Sequence, residues 1–149
     1  MRWRVAGFAA LCLFVSSVAT RGEDADRRVA IVLTAEEKAF VLGQMRLFVE
    51  SIERIVSSLA AGDRTTAAEA AAARGGKRFQ AENVMPATLG AKFPEMWRSF
   101  GQPMRKGFDE LADGLAQGEP ESRALARLGE TMRNCVSCHQ SYRIIDARD

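Results

Sequence analysis

The sequence predicts an all-α protein, specifically an antiparallel four-helix bundle that forms one domain. Apolar residues recur at helical spacing in several segments, no segment has a convincing strand pattern, and most connections between segments are short. The chain of 149 residues is 47% hydrophobic and 27% charged, which is the composition of one ordinary globular domain with one core. The sequence contains no recognisable internal repeat.

The first helix is predicted to begin at Thr34. The Thr-Ala-Glu-Glu stretch that starts there is a capping box, in which the Thr34 hydroxyl accepts from the Glu37 amide and the Glu37 carboxylate reaches back. Apolar residues then recur at steps of three and four until Gly62 ends the helix. These residues are Leu42, Met45, Val49, Ile52, Val56 and Leu59, with Phe48 and Ile55 beside them. The stripe is broad enough to serve a homodimer interface as well as a core.

The middle of the chain is predicted to hold a second helix and a long connection. Asp63 can cap an Ala-rich helical segment over residues 64–74, which stops at a pair of glycines. Residues 77–93 contain proline, glycine and scattered apolar side chains. They are predicted to form a connection with a short helical turn around residues 86–89.

Two further helices complete the predicted bundle. Pro94 suits the first position of the third helix, whose apolar pattern extends from Trp97 to Leu115 with a break or kink near Pro103. Pro120 opens the fourth helix in the same way. The fourth helix has a regular inward seam, formed by Leu125, Leu128, Met132, Cys135, His139 and Tyr142. The seam is expected to turn its cysteine and its histidine toward the core.

The first 19 residues are predicted to be a secretory signal peptide. Two arginines precede an apolar run over residues 5–15, and small residues follow up to Ala19, after which we expect cleavage. About 15 apolar or small residues are too few to cross a bilayer as a helix, so we expect no stable membrane insertion after the signal is removed. Residues 20–33 are then a leader, and residues 34–149 form the folded domain.

The charge balance argues against nucleic acid as a partner. The 21 Lys and Arg against 19 Asp and Glu give a formal net charge of +2, and removal of the signal takes away Arg2 and Arg4 but no acid. The mature chain is therefore close to neutral and lacks the basic excess that neutralises phosphates. The single histidine, His139, also excludes a site that needs two imidazoles from one chain.

Residues 135–139, Cys-Val-Ser-Cys-His, form the Cys-x-x-Cys-His signature of covalent haem attachment. Two thiols three residues apart on a helix face one side and can form thioethers to two vinyl groups at one porphyrin edge, while the adjacent imidazole ligates the iron. A thioredoxin-like redox pair normally follows a strand at a helix start, and a zinc site needs more ligands than this cluster supplies. The motif therefore predicts one covalently bound haem c.

Together with Gln-Ser-Tyr-Arg over residues 140–143, the motif near the end of a four-helix bundle resembles the class II cytochromes c, the cytochrome c-prime group. The resemblance covers the architecture of the mature chain, and in residue detail the C-terminal motif and parts of the first helix. It implies a bacterial periplasmic haem protein with His139 as the proximal iron ligand. Cys135 and Cys138 are then the attachment points, and Arg143 packs near the haem on the same side.

The residue on the other face of the iron has two candidates on the first helix. In the family that the chain resembles, an apolar residue there gives a five-coordinate haem and a methionine a six-coordinate one. Leu42 has a basic residue, Lys38, one turn before it, as family members often do. Met45 lies on the same stripe and offers a thioether, which is a good ligand for haem iron. Met45 is the predicted sixth ligand, with core packing as its alternative role.

These features predict an electron carrier rather than an enzyme, since no second histidine is present as a distal acid–base group. The expected partners are redox proteins that bind transiently. The alternative is a five-coordinate binder or sensor of nitric oxide or carbon monoxide, with an open site beside Leu42. Arg133 and Arg143 are candidates to pair with the haem carboxylates.

Overall fold

The structure, a computed structural model, describes residues 26–82 and 85–147. This part of the chain is mostly helical, with six helices and a small two-stranded sheet, and none of these helices is long and apolar enough to cross a membrane. The predicted signal peptide lies outside the described residues. The elements are β1 (Val29–Leu33), α1 (Ala35–Ala60), α2 (Arg64–Ala72), α3 (Gly76–Glu82), α4 (Ala87–Lys92), α5 (Glu95–Ala116), α6 (Glu121–Ser141) and β2 (Tyr142–Asp146).

The predicted starts of the first two helices are confirmed. The Thr34 hydroxyl accepts from the Glu37 amide at 3.3 Å, and the Thr34 amide donates to the Glu37 carboxylate at 2.9 Å, which completes the capping box of α1. Asp63 caps α2 by accepting from the Thr66 amide at 3.0 Å. Gly62 follows α1 with a φ of 73°, a left-handed conformation that strains residues with side chains.

The sequence predicted no strand, but the structure contains a parallel pair. β1 lies in the predicted leader, and β2 replaces the last residues of the predicted fourth helix. Val29 pairs with Tyr142 and Leu33 with Asp146, so segments from both ends of the chain lie side by side. Ile31 and Leu33 are buried while their neighbours are exposed. All five residues of β1 are apolar, so this alternation is invisible in the sequence.

The segment predicted as one long connection, residues 77–93, is largely helical, because it contains most of α3 and all of α4. α5 then continues without interruption past Pro103, where the sequence predicts a break or kink. Pro103 is exposed, and the apolar residues that follow it, Phe108 and Leu111, are fully buried. Packing of these residues maintains the helix despite the missing proline amide.

The helices pack around two hydrophobic clusters rather than one core. α1 contacts α2, α2 contacts α5, and α5 contacts α6. The bundle cluster is formed by these four helices and centres on Phe48, Ile55 and Phe108. The sheet cluster is formed by both strands, the start of α1 and α4, and it centres on Leu33 and Leu89.

Two of the predicted apolar faces are rotated from their expected positions. On α1, Val49 and Val56 are exposed, and Ile55 is fully buried. On α6, Leu125 is exposed and its neighbour Ala124 is fully buried. A broad apolar stripe does not determine which of its edges faces the core, since that depends on the helices packed against it.

At Gly107, α5 approaches α6 too closely for a side chain. A Cβ there would lie 2.2 Å from the hydroxyl oxygen of Thr131, which is buried. We expect Gly107→Ala to destabilise the protein by about 1–3 kcal/mol through overpacking. Gly101→Ala is the matched control on the same helix: apart from its chain neighbours and the backbone of its own helix, no atom lies within 4 Å of its added Cβ, and it should stabilise the helix by about 0.5–1 kcal/mol. Urea denaturation measures both effects, and equal values would contradict the close approach.

Candidate functional site

An apolar cavity of about 690 Å³ lies where the bundle cluster and the sheet cluster meet. Phe48 and Met104 from the bundle cluster line it, as do Phe93 and Trp97 from the sheet cluster. Its volume falls in the range of about 300–1,000 Å³ that is usual for sites that enclose small ligands and cofactors. Side chains from α1, α3, α4, α5 and α6 contribute to the wall, so only the folded chain can form the cavity.

The α6 wall of the cavity carries the Cys-x-x-Cys-His signature. Cys135, Cys138 and His139 all line the cavity, as expected for helix positions separated by three and four residues. Both cysteines are half-buried, and the Cys135 thiol donates to the Met104 thioether of α5 across 3.5 Å. His139 is exposed, whereas the sequence predicts that it faces the core. It therefore lines the open side of the cavity.

Burial keeps both thiols of the signature protonated near neutral pH. It raises the pKa of Cys138 to about 11, with the neighbouring Cys135 as a second cause, and it also raises the pKa of Cys135. Neither of these two cysteines is in a disulfide. A redox-active cysteine pair reacts through a thiolate with a lowered pKa, so these shifts oppose the thioredoxin-like alternative.

The carboxyl end of α6 is held by the amino-terminal part of the described chain. The Arg28 guanidinium donates to the carbonyl oxygens of His139 at 3.2 Å and of Tyr142 at 3.5 Å. A cation at this position also interacts favourably with the helix dipole. β2 follows directly and pairs with β1. The backbone at His139 is therefore fixed by a side chain and by the sheet that begins beside it.

Neither arginine expected near the haem reaches the cavity. Arg143 lies on β2, where its Nε donates to the Arg28 carbonyl oxygen at 3.4 Å and lies 3.9 Å from the Asp26 carboxylate. Arg133 is exposed on α6 and pairs with Glu130 at 3.4 Å. Neither arginine is among the described residues that line the cavity. The structure thus places them outside the site that contains the cysteines.

The two residues that the sequence offers as candidates for the second axial position have different surroundings on α1. Met45 lines the cavity and packs against the sheet cluster. Leu42 is 40% exposed and is not among the described residues of the cavity wall. Lys38, one turn before Leu42, pairs with the Asp146 carboxylate of β2 at 2.8 Å. Of the two candidates, the structure brings only Met45 to the cavity that Cys135 lines.

Aromatic side chains form the part of the cavity wall nearest the sheet. Phe93 and Trp97 stack with their ring centroids 4.5 Å apart and an interplanar angle of 4°. Trp97 also meets the Tyr142 ring edge-on, with centroids 5.5 Å apart. Phe100 lines the cavity, whereas Phe108 is fully buried in the bundle cluster. Flat apolar surfaces of this kind suit a planar apolar ligand.

No family model, curated protein or solved structure matches this chain. The function of the cavity must therefore be inferred from the side chains that line it. The sequence pattern indicated Cys135, Cys138, His139 and Met45, and all four line the cavity. It did not indicate Arg105, a charged residue of the same wall, because no motif or local spacing distinguishes it from the other arginines of the chain.

An ion pair between the buried Glu37 and the more exposed Lys92 fastens α4 to the start of α1, and we call it the Glu37 clamp. The Glu37 carboxylate, 6% exposed, accepts from the Lys92 ammonium at 2.6 Å and from the Thr88 hydroxyl at 3.1 Å, in addition to its capping bond with Thr34. The bond from Lys92, followed by that from Thr34, lowers the pKa of Glu37 from 4.5 to about 2. α4 carries Leu89 into the cavity wall, so the clamp positions part of that wall.

The Glu37 clamp should make stability depend on pH in the acid range. Because folding lowers the pKa of Glu37, its contribution is fully present above a pH of about 4.5 and is lost as the pH falls through about 2. We expect Glu37→Gln to lower the urea midpoint at neutral pH and to flatten the loss of stability between these pH values. Glu36→Gln, an exposed neighbour, is the control. Indistinguishable pH profiles for the two variants would refute the clamp.

Proposed function

We propose that this chain is an exported mono-haem c-type cytochrome that carries electrons. The observation that supports the proposal is that Cys135, Cys138 and His139 line one apolar cavity and that Met45 lines the same cavity from α1. The proposal includes an antiparallel four-helix arrangement of α1, α2, α5 and α6, of the kind found in the class II cytochromes c that the sequence resembles.

The cavity suits the size and chemistry of a covalently bound haem. It is mostly apolar, part of its wall is aromatic, and its volume of about 690 Å³ falls in the range usual for cofactor sites. A group that fills it joins the bundle cluster and the sheet cluster into one contiguous core, as is usual for a domain of this size. When bound, the haem iron supplies one-electron chemistry between its ferric and ferrous states.

In this proposal, Cys135 and Cys138 hold the group through two thioether bonds. For each bond a thiol S–H would add across a vinyl C=C, with sulfur bonding to one carbon and the hydrogen going to the other. The addition is redox-neutral and needs no oxidant. Burial favours the protonated thiols, which supply both atoms. His139 would ligate the iron through a ring nitrogen from the open side of the cavity.

Met45 is the proposed sixth ligand, which makes electron transfer the better-supported function. A methionine thioether opposite a histidine is a known electron-transfer arrangement and leaves no open position for a gas. The alternative is a five-coordinate site that binds nitric oxide or carbon monoxide, with Met45 as packing. Leu42, the residue expected beside such an open site, is exposed outside the cavity wall, whereas Met45 lines it.

The proposed location is the periplasm, and the proposed partners are redox proteins that bind transiently. Export is supported by residues 1–19, in which charged residues are followed by an apolar run and then by small residues. The exposure of His139 supports exchange with partners, because it brings the proposed iron ligand close to the protein surface.

Covalent attachment of haem to Cys135 and Cys138 can be tested by the mass of the protein. The mature protein, produced in a periplasmic host that attaches haem, should gain the mass of one haem and keep it after denaturation. Cys135→Ser and Cys138→Ser should each retain one thioether, and the double variant should retain no covalent haem. Ser137→Ala, between the two cysteines, is the control and should match wild type. Intact-protein mass spectrometry decides the matter: a wild-type chain without covalent haem would refute the proposal.

The role of Met45 as the sixth ligand can be tested by substitution. Met45→Ala should convert most of the haem from low spin to high spin and open it to carbon monoxide, because the variant lacks the thioether ligand. Met132→Leu, which changes another methionine of the cavity wall, should keep the wild-type spectrum. Absorption spectra of ferric and ferrous protein, before and after carbon monoxide, measure both. A wild-type protein that already binds the gas rapidly would favour the five-coordinate alternative.

A further inference from the structure

Two arginines lie together beside the cavity, on the side of α1 and α3. Arg105 of α5 lines the cavity, and its guanidinium carbon lies 3.6 Å from the ring centroid of Phe79 and 5.3 Å from that of Phe48. Its Nη1 donates to the Arg74 carbonyl oxygen at 3.4 Å. The Arg74 guanidinium carbon lies 6.0 Å from the Phe48 centroid. The two cations therefore share one aromatic surface.

This pair of cations has no anionic partner in the part of the chain that the structure describes. Neither guanidinium forms an ion pair within residues 26–82 and 85–147, and the buried Arg74 Nε has no hydrogen-bond partner there. Asp109, the carboxylate that favours the charge of Arg105, accepts instead from the amides of Gly76 at 2.9 Å and Lys77 at 3.2 Å.

The surroundings oppose the charge on both arginines. Burial, with the proximity of Arg74 as the second cause, lowers the pKa of Arg105 to about 10, and burial also lowers the pKa of Arg74. A partly buried cation without a counter-charge carries an uncompensated desolvation cost. An arginine fork matches the two oxygens of a carboxylate, so an anionic ligand group placed here would remove that cost.

We propose that Arg105, supported by Arg74, forms the site that binds the haem carboxylates. This inference rests on the proposed function. The attached vinyl groups and the carboxylates of a c-type haem lie at opposite edges of the porphyrin. Cys135 and Cys138 belong to the α6 wall, and the Arg105 guanidinium belongs to the side formed by α1 and α3. These residues thus line different walls of the same cavity, as the two ends of one cofactor would require.

Binding of a haem carboxylate by Arg105 affects the reduction potential of the haem. A guanidinium keeps a haem carboxylate ionised, whereas the apolar cavity without that cation raises the carboxylate pKa toward neutrality. An ionised carboxylate stabilises ferric iron, so its deprotonation lowers the potential. The potential should therefore be nearly independent of pH while both arginines are present, and should fall with rising pH when Arg105 is absent.

Other charged groups face the same region and define the background of this test. The cavity wall also contains Lys77, Arg98, Lys106, Asp109 and His139, and the carboxylates of Glu50 and Glu82 act on Arg74. His139 is the proposed iron ligand. All of these groups are retained in the variants compared, so their contribution to the pH profile is common to each protein.

The experiment is a redox titration of the haem-loaded, full mature chain across about pH 5 to 8. Wild type and Arg133→Gln, which removes an exposed arginine of α6, should give flat profiles. Arg105→Gln should give a potential that falls as the pH rises, and Arg74→Gln should give a smaller slope in the same direction. Arg105→Lys keeps the positive charge and should restore the flat profile. If Arg105 had a purely packing role, the profile would not depend on this charge.

The outcomes separate this inference from the proposed function. A wild-type chain without covalent haem, measured as the pyridine haemochrome, overturns both. Covalent haem in every variant together with a flat profile for Arg105→Gln overturns only the carboxylate site. If Arg105→Gln does not accumulate, Arg74→Gln and Arg105→Lys decide. A sloped profile for Arg74→Gln together with a flat profile for Arg105→Lys supports the site. Equal profiles for these two variants reject it.

Discussion

The division of the hydrophobic residues into two clusters, with an apolar cavity between them, is the constraint on which the rest of the structure depends. The cavity has a volume of about 690 Å³, and residues of both clusters line it. Its walls come from five helices, so each wall needs its own attachment. The Glu37 clamp holds α4, while Arg28 and the sheet hold the end of α6.

The features that sequence alone predicted correctly are those determined by neighbouring residues. The caps at Thr34 and Asp63 depend on contacts three residues away, and the glycine that follows α1 depends on its own backbone conformation. The placement of Cys135 and Cys138 on one helix face follows from helical geometry alone. Most of the helical content and the cysteine side of the candidate site could therefore be read from the chain.

The features that escaped prediction depend on residues far apart in the chain. Lys92 binds Glu37 across 55 residues, and nothing near either residue indicates the other. The exposure of Leu42 and the position of Met45 in the cavity wall follow from the rotation of α1, which its packing partners determine. Arg105 belongs to no sequence motif. What distinguishes it is the absence of a counter-charge among the described residues around it, which depends on the fold.

The parallel pairing of β1 with β2 also sets an order for folding. Arg28 and Tyr142 are 114 residues apart, so their contact closes a long loop and carries a correspondingly large entropy cost. Contacts of this kind slow folding, whereas α1 and α2 can form from local contacts as soon as they are synthesised. β1 has no partner until the final residues of the chain are present. The surroundings of His139 are thus completed last, and the cysteines beside it stay accessible until then.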